Sequence, residues 1–360
     1  MNDRRQPVRR RGRGATSNPR NRFDKLDIEP VDDGWDSDEV TPVTLTTELI
    51  QDDSRSVISR NSSPDVPFDQ SVNPYRGCEH GCVYCYARPT HAWLGLSPGL
   101  DFETKILFKP NAARLLQEEL SRPDYRCSTI ALGTNTDPYQ PAERTLGLTR
   151  AVLEVLSDCR HPVSIVTKSA LVERDIDLLA PMAGLGLVSV MVSVTTLDDD
   201  LKRRLEPRTA SPARRMKIIS ALSAAAIPVG VLVAPVIPAI NDHEIEAILA
   251  AASDAGAGNA AHILLRLPLE VAPLFEEWLQ LHYPQRSDKV MSLLRQARGG
   301  RVNDPRFGHR MSGHGPWADM IGQRFRSSCR RLGISVGERR ELDTAAFCRP
   351  AASGGQLDLI

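Results

Sequence analysis

From about residue 100 onward, two hydrophobic patterns alternate along the chain. Short, nearly continuous apolar runs rich in β-branched residues occur at "STIALGT" (128–134), "PVSIVTK" (162–168), "LVSVMVSVTT" (187–196), "PVGVLVAPVI" (228–237) and "HILLRLP" (262–268). Between them lie segments whose apolar residues recur at three- and four-residue steps: "ERTLGLTRAVLEVLSD", "LVERDIDLLAPMAG", "SPARRMKIISALSAAA" and "NDHEIEAILAAASDAG". The first pattern predicts strands and the second predicts amphipathic helices. Ser211 and Pro212 suit an N-cap and a first helical turn, and Gly184 and Gly256 suit helix ends. A strand with no polar face must be covered on both sides, so the alternation predicts a parallel sheet with helices outside it. One more strand near "FDQSVNP" brings the count to about six βα units. The expected fold class is therefore α/β, a partial (β/α)6 barrel, with a doubly wound sheet as the alternative. In both, the active site sits at the C-terminal ends of the strands, where the loop after the first strand also lies.

The flanks read differently. Residues 1–25 carry eight Arg and one Lys against two Asp, and "DIEPVDDGWDSDEV" (27–40) is acidic with no basic residue. Such blocks have too little apolar content to offset the entropy of ordering, so residues 1–60 are expected to form a flexible charged arm, either solvated or in electrostatic contact with nucleic acid. Residues 61–270 are expected to hold the barrel, and 271–360 a helical, Arg-rich extension. There, "LEVAPLFEEWLQLHY" and "SDKVMSLLRQARGG" read as helices. Trp317, Met320, Ile321, Phe325, Cys329 and Leu332 form an apolar stripe on a third helix, with Arg324, Arg326, Arg330 and Arg331 mostly elsewhere around it. Those arginines suit a solvated face or a phosphate backbone equally.

Composition narrows the picture further. The 360 residues carry 45 basic and 45 acidic side chains and 5% aromatics, so bulk charge selects no partner. Seven cysteines, three bunched and four (Cys127, Cys159, Cys329, Cys348) single, do not form a disulfide framework, and a reduced, cytoplasmic protein is expected. The N-terminus has no apolar stretch after its positive charges, and no run of roughly 18 apolar residues occurs, so neither a signal peptide nor a membrane span is expected.

The candidate chemistry lies in "RGCEHGCVYCYARP" (76–89), which places Cys78, Cys82 and Cys85 in a C-x3-C-x2-C run with no fourth cysteine nearby. A cubane iron-sulfur cluster takes one thiolate per iron, and three would leave one iron open. Structural zinc needs four ligands and would have to recruit His80 or His91. The spacing favours the cluster over zinc or incidental cysteines. Each isolated cysteine reads as a small buried apolar residue.

"CEHGCVYC", with Tyr84 at its aromatic position, resembles the signature of the radical S-adenosylmethionine (radical SAM) superfamily. The resemblance continues through "LGTNTDPYQPAE", "VTKS", "VSVTT", "RLEPRTASPARR" and "VAPVIPAIND", in the order found in the spore photoproduct lyase-like (DNA repair photolyase-like) branch. It implies a 4Fe-4S cluster on Cys78, Cys82 and Cys85, and SAM held at the open iron by its amino and carboxylate groups. A reduced cluster would then cleave SAM to a 5'-deoxyadenosyl radical. By the same resemblance Tyr84 packs beside the adenine, Thr136 with its neighbour Asn135 meets the SAM amino group, and Lys168 and Ser193 hold its carboxylate. A lysine and a hydroxyl at strand ends are the groups an anion beside an anionic cluster requires. An electron donor is implied as a partner, with nucleic acid as the candidate substrate.

Other readings stay open. Arg208 suits a substrate phosphate or a local acid, and Asp137 suits a turn or catalysis, with Tyr139 beside it in the same pocket-shaping turn. Where the lyase has a cysteine hydrogen donor, this chain has Thr134, whose hydroxyl donates poorly to a carbon radical; this argues against thymine-dimer repair. Modification of a protein, peptide or small molecule is the second enzymatic reading. A non-enzymatic iron-sulfur or zinc module is the third.

Overall fold

The computed structural model describes residues 12–24, 45–337 and 341–351. Six parallel strands form its centre: β1 (Gln70–Val72), β2 (Ile130–Leu132), β3 (Val163–Thr167), β4 (Val188–Ser193), β5 (Val229–Val236) and β6 (Asn259–Leu264). Each pairs in parallel with the next, in chain order. Ile58–Arg60 caps the β1 edge antiparallel, and Ser335–Val336 extends the β6 edge in parallel. The arc is a partial (β/α)6 barrel, as the alternating pattern predicts.

Helices α1 (Ala112–Ser121), α2 (Leu148–Asp158), α3 (Ile176–Gly184), α4 (Pro212–Ala224) and α5 (Ile245–Asp254) connect successive strands. They cover the outward strand residues, among them Ile130, Leu132, Ile165, Val190 and Val231, in one continuous core. The Ser211 hydroxyl accepts from the Arg214 amide at 3.2 Å, the expected N-cap, with Pro212 opening α4. Gly256 takes φ +96° past α5, whereas beyond α3 the left-handed residue is Gly186 (φ +71°) and Gly184 stays helical.

The inner strand faces differ from the expectation of cover on both sides. Ser164, Val166, Ser189, Met191, Gly230 and Leu232 line a cavity of about 610 Å³ in the N-terminal half of the arc. Six strands do not close, so the inner faces border open space instead of meeting across a filled barrel.

After β6 come α6 (Val271–His282), α7 (Ser287–Gln296) and α8 (Pro316–Leu332). Helix α8 packs on α5 and β6 through Ile321, Phe325 and Cys329, while Met320 of the expected stripe is exposed. Arg324 is paired with Glu246 at 2.6 Å and so does not belong to a free basic face.

The expected arm needs correction within the described residues. Glu48–Gln51 is a strand of a small second sheet with Lys105–Phe108 and Tyr75–Arg76. Residues 12–24 lie against the cysteine loop, with Arg13, Ala15, Thr16 and Asn21 buried. Polar and backbone contacts hold this segment, which a reading of apolar content cannot detect. The rest of the expected arm, residues 1–11 and 25–44, lies outside the described residues. Among the described residues no helix is long and apolar enough to cross a membrane.

Candidate active site

The cysteine loop leaves β1 through Tyr75–Arg76 and lies over the strand C-termini. The Cys78 amide donates to the Phe102 carbonyl at 2.9 Å, and the Val83 amide donates to the Leu205 carbonyl at 3.1 Å. Two glycines make the turns: Gly77 has φ +82° and Gly81 has φ +66°, and a Cβ on Gly81 would lie 2.7 Å from Glu103 Oε2.

Glu103, fully buried, organises the loop's underside. It pairs with Arg88, whose Nε donates to the Cys82 carbonyl at 3.0 Å. Its carboxylate oxygens also accept from the Gly14 amide (3.0 Å) and the Ala15 amide (2.8 Å). Arg13 donates to the Glu103 carbonyl at 2.6 Å. Residues 13–15 are thereby joined to the loop that carries the thiols.

Cys78 and Cys82 are buried, Cys85 is half-buried, and all three thiols are free. Burial pushes all three up, reinforced at Cys78 by Asp137 and at Cys82 by Glu206. As thiolates in this environment they require a cationic core. Of the two histidines that a zinc set would recruit, His80 has Nδ1 3.3 Å from Asp137, and His91 has Nε2 3.0 Å from the Lys105 carbonyl while its buried Nδ1 makes no hydrogen bond among the described residues. Among the described residues no three His, Cys, Asp or Glu side chains converge on a single-ion position. A cubane gives each thiolate its own iron and does not require such convergence. Three soft donors on one loop seated by glycines fit the cluster.

Beside this loop, Tyr84, Lys168 and Ser193 come together. Lys168 Nζ, at the end of β3, donates to Ser193 Oγ of β4 at 2.7 Å and lies 5.7 Å from the Tyr84 ring centroid. It also reaches Thr195 Oγ1 at 3.3 Å and the Ala234 carbonyl at 3.4 Å. At the centre is a residue the sequence reading missed, Glu206, fully buried and 3.0 Å from Lys168 Nζ. Glu206 also accepts from the Tyr84 hydroxyl, from Thr195 (2.5 Å) and from the buried Arg215. Burial pushes the Glu206 carboxyl up, but Arg215 and Lys168 outweigh it and hold it well below the usual carboxylate range. Two cations thus share one carboxylate, leaving one positive charge over. The signal for Glu206 was present in "RLEPRT", an acid within a basic stretch.

Asn135 and Thr136 sit on the loop after β2. Thr136 Oγ1 donates to the Tyr75 carbonyl at 3.2 Å, and the Asn135 amide donates to Asn73 Oδ1 at 3.2 Å. Among the described residues neither is hydrogen-bonded to the Lys168 group; Asp137 forms the link. Its carboxylate accepts from the Lys168 amide (2.8 Å), Thr167 Oγ1 (2.8 Å) and the Tyr139 amide (2.9 Å). The turn reading of Asp137 therefore describes these contacts, and Tyr139 is buried in the main core. Arg208 pairs with Glu79 at 3.0 Å, the local acid of the two readings.

A parallel (β/α)6 arc with a buried three-thiol loop over its strand ends and a surplus cation beside it is an enzyme framework for an iron-sulfur cofactor and an anionic co-substrate. Residues 72–252 match the family model of the radical SAM superfamily, and the chain belongs to that superfamily. Its cofactors are a 4Fe-4S cluster and SAM. An uncharacterized protein of Mycobacterium tuberculosis (strain ATCC 25618 / H37Rv) is 40% identical over 233 residues, 64% of this chain and 68% of the relative. An uncharacterized protein of Methanocaldococcus jannaschii is 27% identical over 197 residues, covering 55% and 71%. A solved spore photoproduct lyase, a point mutant, superposes with a TM-score of 0.56 over 80% of this chain and 81% of its own, at 17% identity. Another, a mutant lyase with bound AdoMet and dinucleoside spore photoproduct, gives 0.55 over 80% of each chain at 15% identity. At these identities the likeness is one of fold.

Proposed function

We propose that the protein is a radical SAM enzyme acting on nucleic acid, with Cys78, Cys82 and Cys85 holding the cluster. The observation that carries the reading is the surplus cation at Lys168, held by Ser193 beside Tyr84 of the cysteine loop. When bound, the cluster and SAM supply a 5'-deoxyadenosyl radical, given one electron from an external donor.

The chain's own residues bind and orient. Lys168 and Ser193 receive the SAM carboxylate, and Glu206 keeps Lys168 aimed in the absence of SAM. Tyr84 flanks the adenine, and Thr136 with Asn135 closes the amino-group side. Tyr84, Thr136, Ser193 and Glu206 of this set are buried, which limits water at a site that generates a carbon radical. The nucleic-acid part rests on likeness of fold to a lyase solved with a dinucleoside photoproduct. Thr134 supplies no thiol, so a different hydrogen source, and a lesion or modification other than thymine-dimer repair, belongs to this reading.

The test is deuterium transfer. Reduced, cluster-loaded protein would be mixed with SAM and oligonucleotides deuterated at sugar or base carbons, and 5'-deoxyadenosine would be analysed by mass. Deuterium in that product supports the reading. Transfer from peptides alone would move the substrate to the protein class.

A further inference from the structure

Two residues past β6, Arg266 stacks on Tyr86, its guanidinium carbon 4.2 Å from the ring centroid. Tyr86 directly follows the cluster ligand Cys85, so this arginine stands at the mouth of the site. It is half-buried, and among the described residues its guanidinium has no hydrogen-bond or ion-pair partner. Burial lowers its pKa, and Arg310 adds to this, while Tyr86, Cys85 and Asp65 act in the opposite direction and offset part of it. A half-buried cation beside a like charge is unfavourable unless an anion completes it.

Its neighbours are fixed in place. Arg298, 1% exposed, donates to the carbonyls of Leu264 and Leu265 on one side and His309 and Arg310 on the other, fastening the loop after α7 to the end of β6. Arg310 is already neutralised by Asp65 at 2.5 Å. Arg266 has Cys85 and Asp65 near enough to favour its charged form, but among the described residues its guanidinium forms no ion pair or hydrogen bond with either, which leaves its donor edge open to a ligand.

We infer that Arg266 is the receptor for a backbone phosphate of a nucleic-acid strand, holding the strand so that the adjoining nucleoside faces the cluster loop. This inference rests on the nucleic-acid reading above and names the site that serves it. A planar guanidinium presents two parallel N–H donors to a phosphate, and the Tyr86 face keeps it flat and oriented. Two exposed rings lie at the same mouth, Tyr86 (43% exposed) and Phe307 (56% exposed, under Arg310), and give bases surfaces on which to stack. Aromatic faces around an unpaired arginine fit a single strand better than a phosphopeptide.

The experiment uses the full-length, cluster-loaded protein under anaerobic conditions. Binding of a single-stranded oligodeoxynucleotide of about ten nucleotides is followed by fluorescence anisotropy across a salt series. The same sequence with neutral methylphosphonate linkages is measured in parallel, for wild type, Arg266→Lys, Arg266→Gln and Arg310→Gln. Iron content and melting temperature establish that each variant is folded and loaded. Wild type should prefer the charged strand. Arg266→Gln should bind it about tenfold more weakly, with a salt slope shallower by about 0.7, the value of one single-strand phosphate contact. Arg266→Lys should keep the slope and lose part of the affinity, and Arg310→Gln should lose less than Arg266→Gln. An Arg266→Gln protein with wild-type affinity and slope would overturn the inference while leaving the nucleic-acid reading in place. No binding by wild type to any strand would overturn both, and tight binding of a phosphopeptide instead would assign the arginine to a different substrate class.

Discussion

Glu206 shows what a single buried side chain contributes that a motif list does not. It satisfies Lys168, Arg215, Thr195 and Tyr84 at once, so its removal leaves two cations facing each other out of water. Glu206→Gln should destabilise the fold by about 3 kcal/mol, the usual cost of breaking a buried ion pair by removing one partner, read as a lower urea midpoint at an unchanged slope. An unchanged midpoint would mean that Lys168 and Arg215 find other partners. Lys168→Ala keeps Glu206 paired with Arg215 and should weaken SAM binding to the loaded protein by about tenfold or more, the loss of one charge-assisted contact, measured by anaerobic calorimetry. At this scale the sequence was informative where a residue belongs to a spaced motif. Cys78, Cys82 and Cys85 stood out as one loop of three thiols, and the structure places Tyr84, Lys168 and Ser193 beside one another. Glu206 and Thr195, both in the segment between β4 and α4, and Arg215 of α4 meet through contacts that no spacing along the chain encodes.

Among the elements, the barrel strands and helices were legible because near-continuous β-branched runs and near-four patterns are properties of local sequence. The segment 12–24 was not, since its hold on the cysteine loop is made of backbone amides, one glycine and one acid distant in sequence. A Cβ on Gly14 would lie 1.8 Å from the Gly81 carbonyl oxygen, so only glycine permits this approach. Gly14→Val should therefore push residues 13–15 off Glu103 and loosen the thiol loop. The expected result is a protein that keeps its helical circular dichroism but loses iron faster to a chelator than wild type. Equal iron retention would show that the loop holds its shape without this segment.

For the molecule as a whole, buried histidines such as His91 and His161 set the response to acid. Burial pushes both down to about 4 from 6.5. The unfolded chain therefore takes up protons first, and stability present in full above pH 6.5 is lost as pH falls toward 4. At about pH 5 each histidine costs about 2 kcal/mol of stability. Below the ordinary carboxylate range the depressed Glu206 and Asp137 add to the loss, because they too bind protons first in the unfolded chain. The melting temperature should fall between about pH 7 and about pH 5. His161→Gln should flatten that dependence, since His161 bonds Tyr125 at 2.7 Å and packs on Phe347 with no part in the site. A flat profile in the wild type would contradict the burial argument. The overall architecture, a partial barrel of about six units, was legible in the alternation of strands and helices, but the cavity along its inner strand faces was not, because near-continuous apolar runs read as strands covered on both sides.

The most direct test of the central claim is reductive cleavage of SAM. Protein reconstituted anaerobically with iron and sulfide, then reduced, should convert SAM to 5'-deoxyadenosine, and Cys82→Ala handled identically should not. A fully loaded cluster that yields no 5'-deoxyadenosine, and binds SAM no better than the Cys82→Ala protein, would contradict the account and leave a metal-binding module in its place.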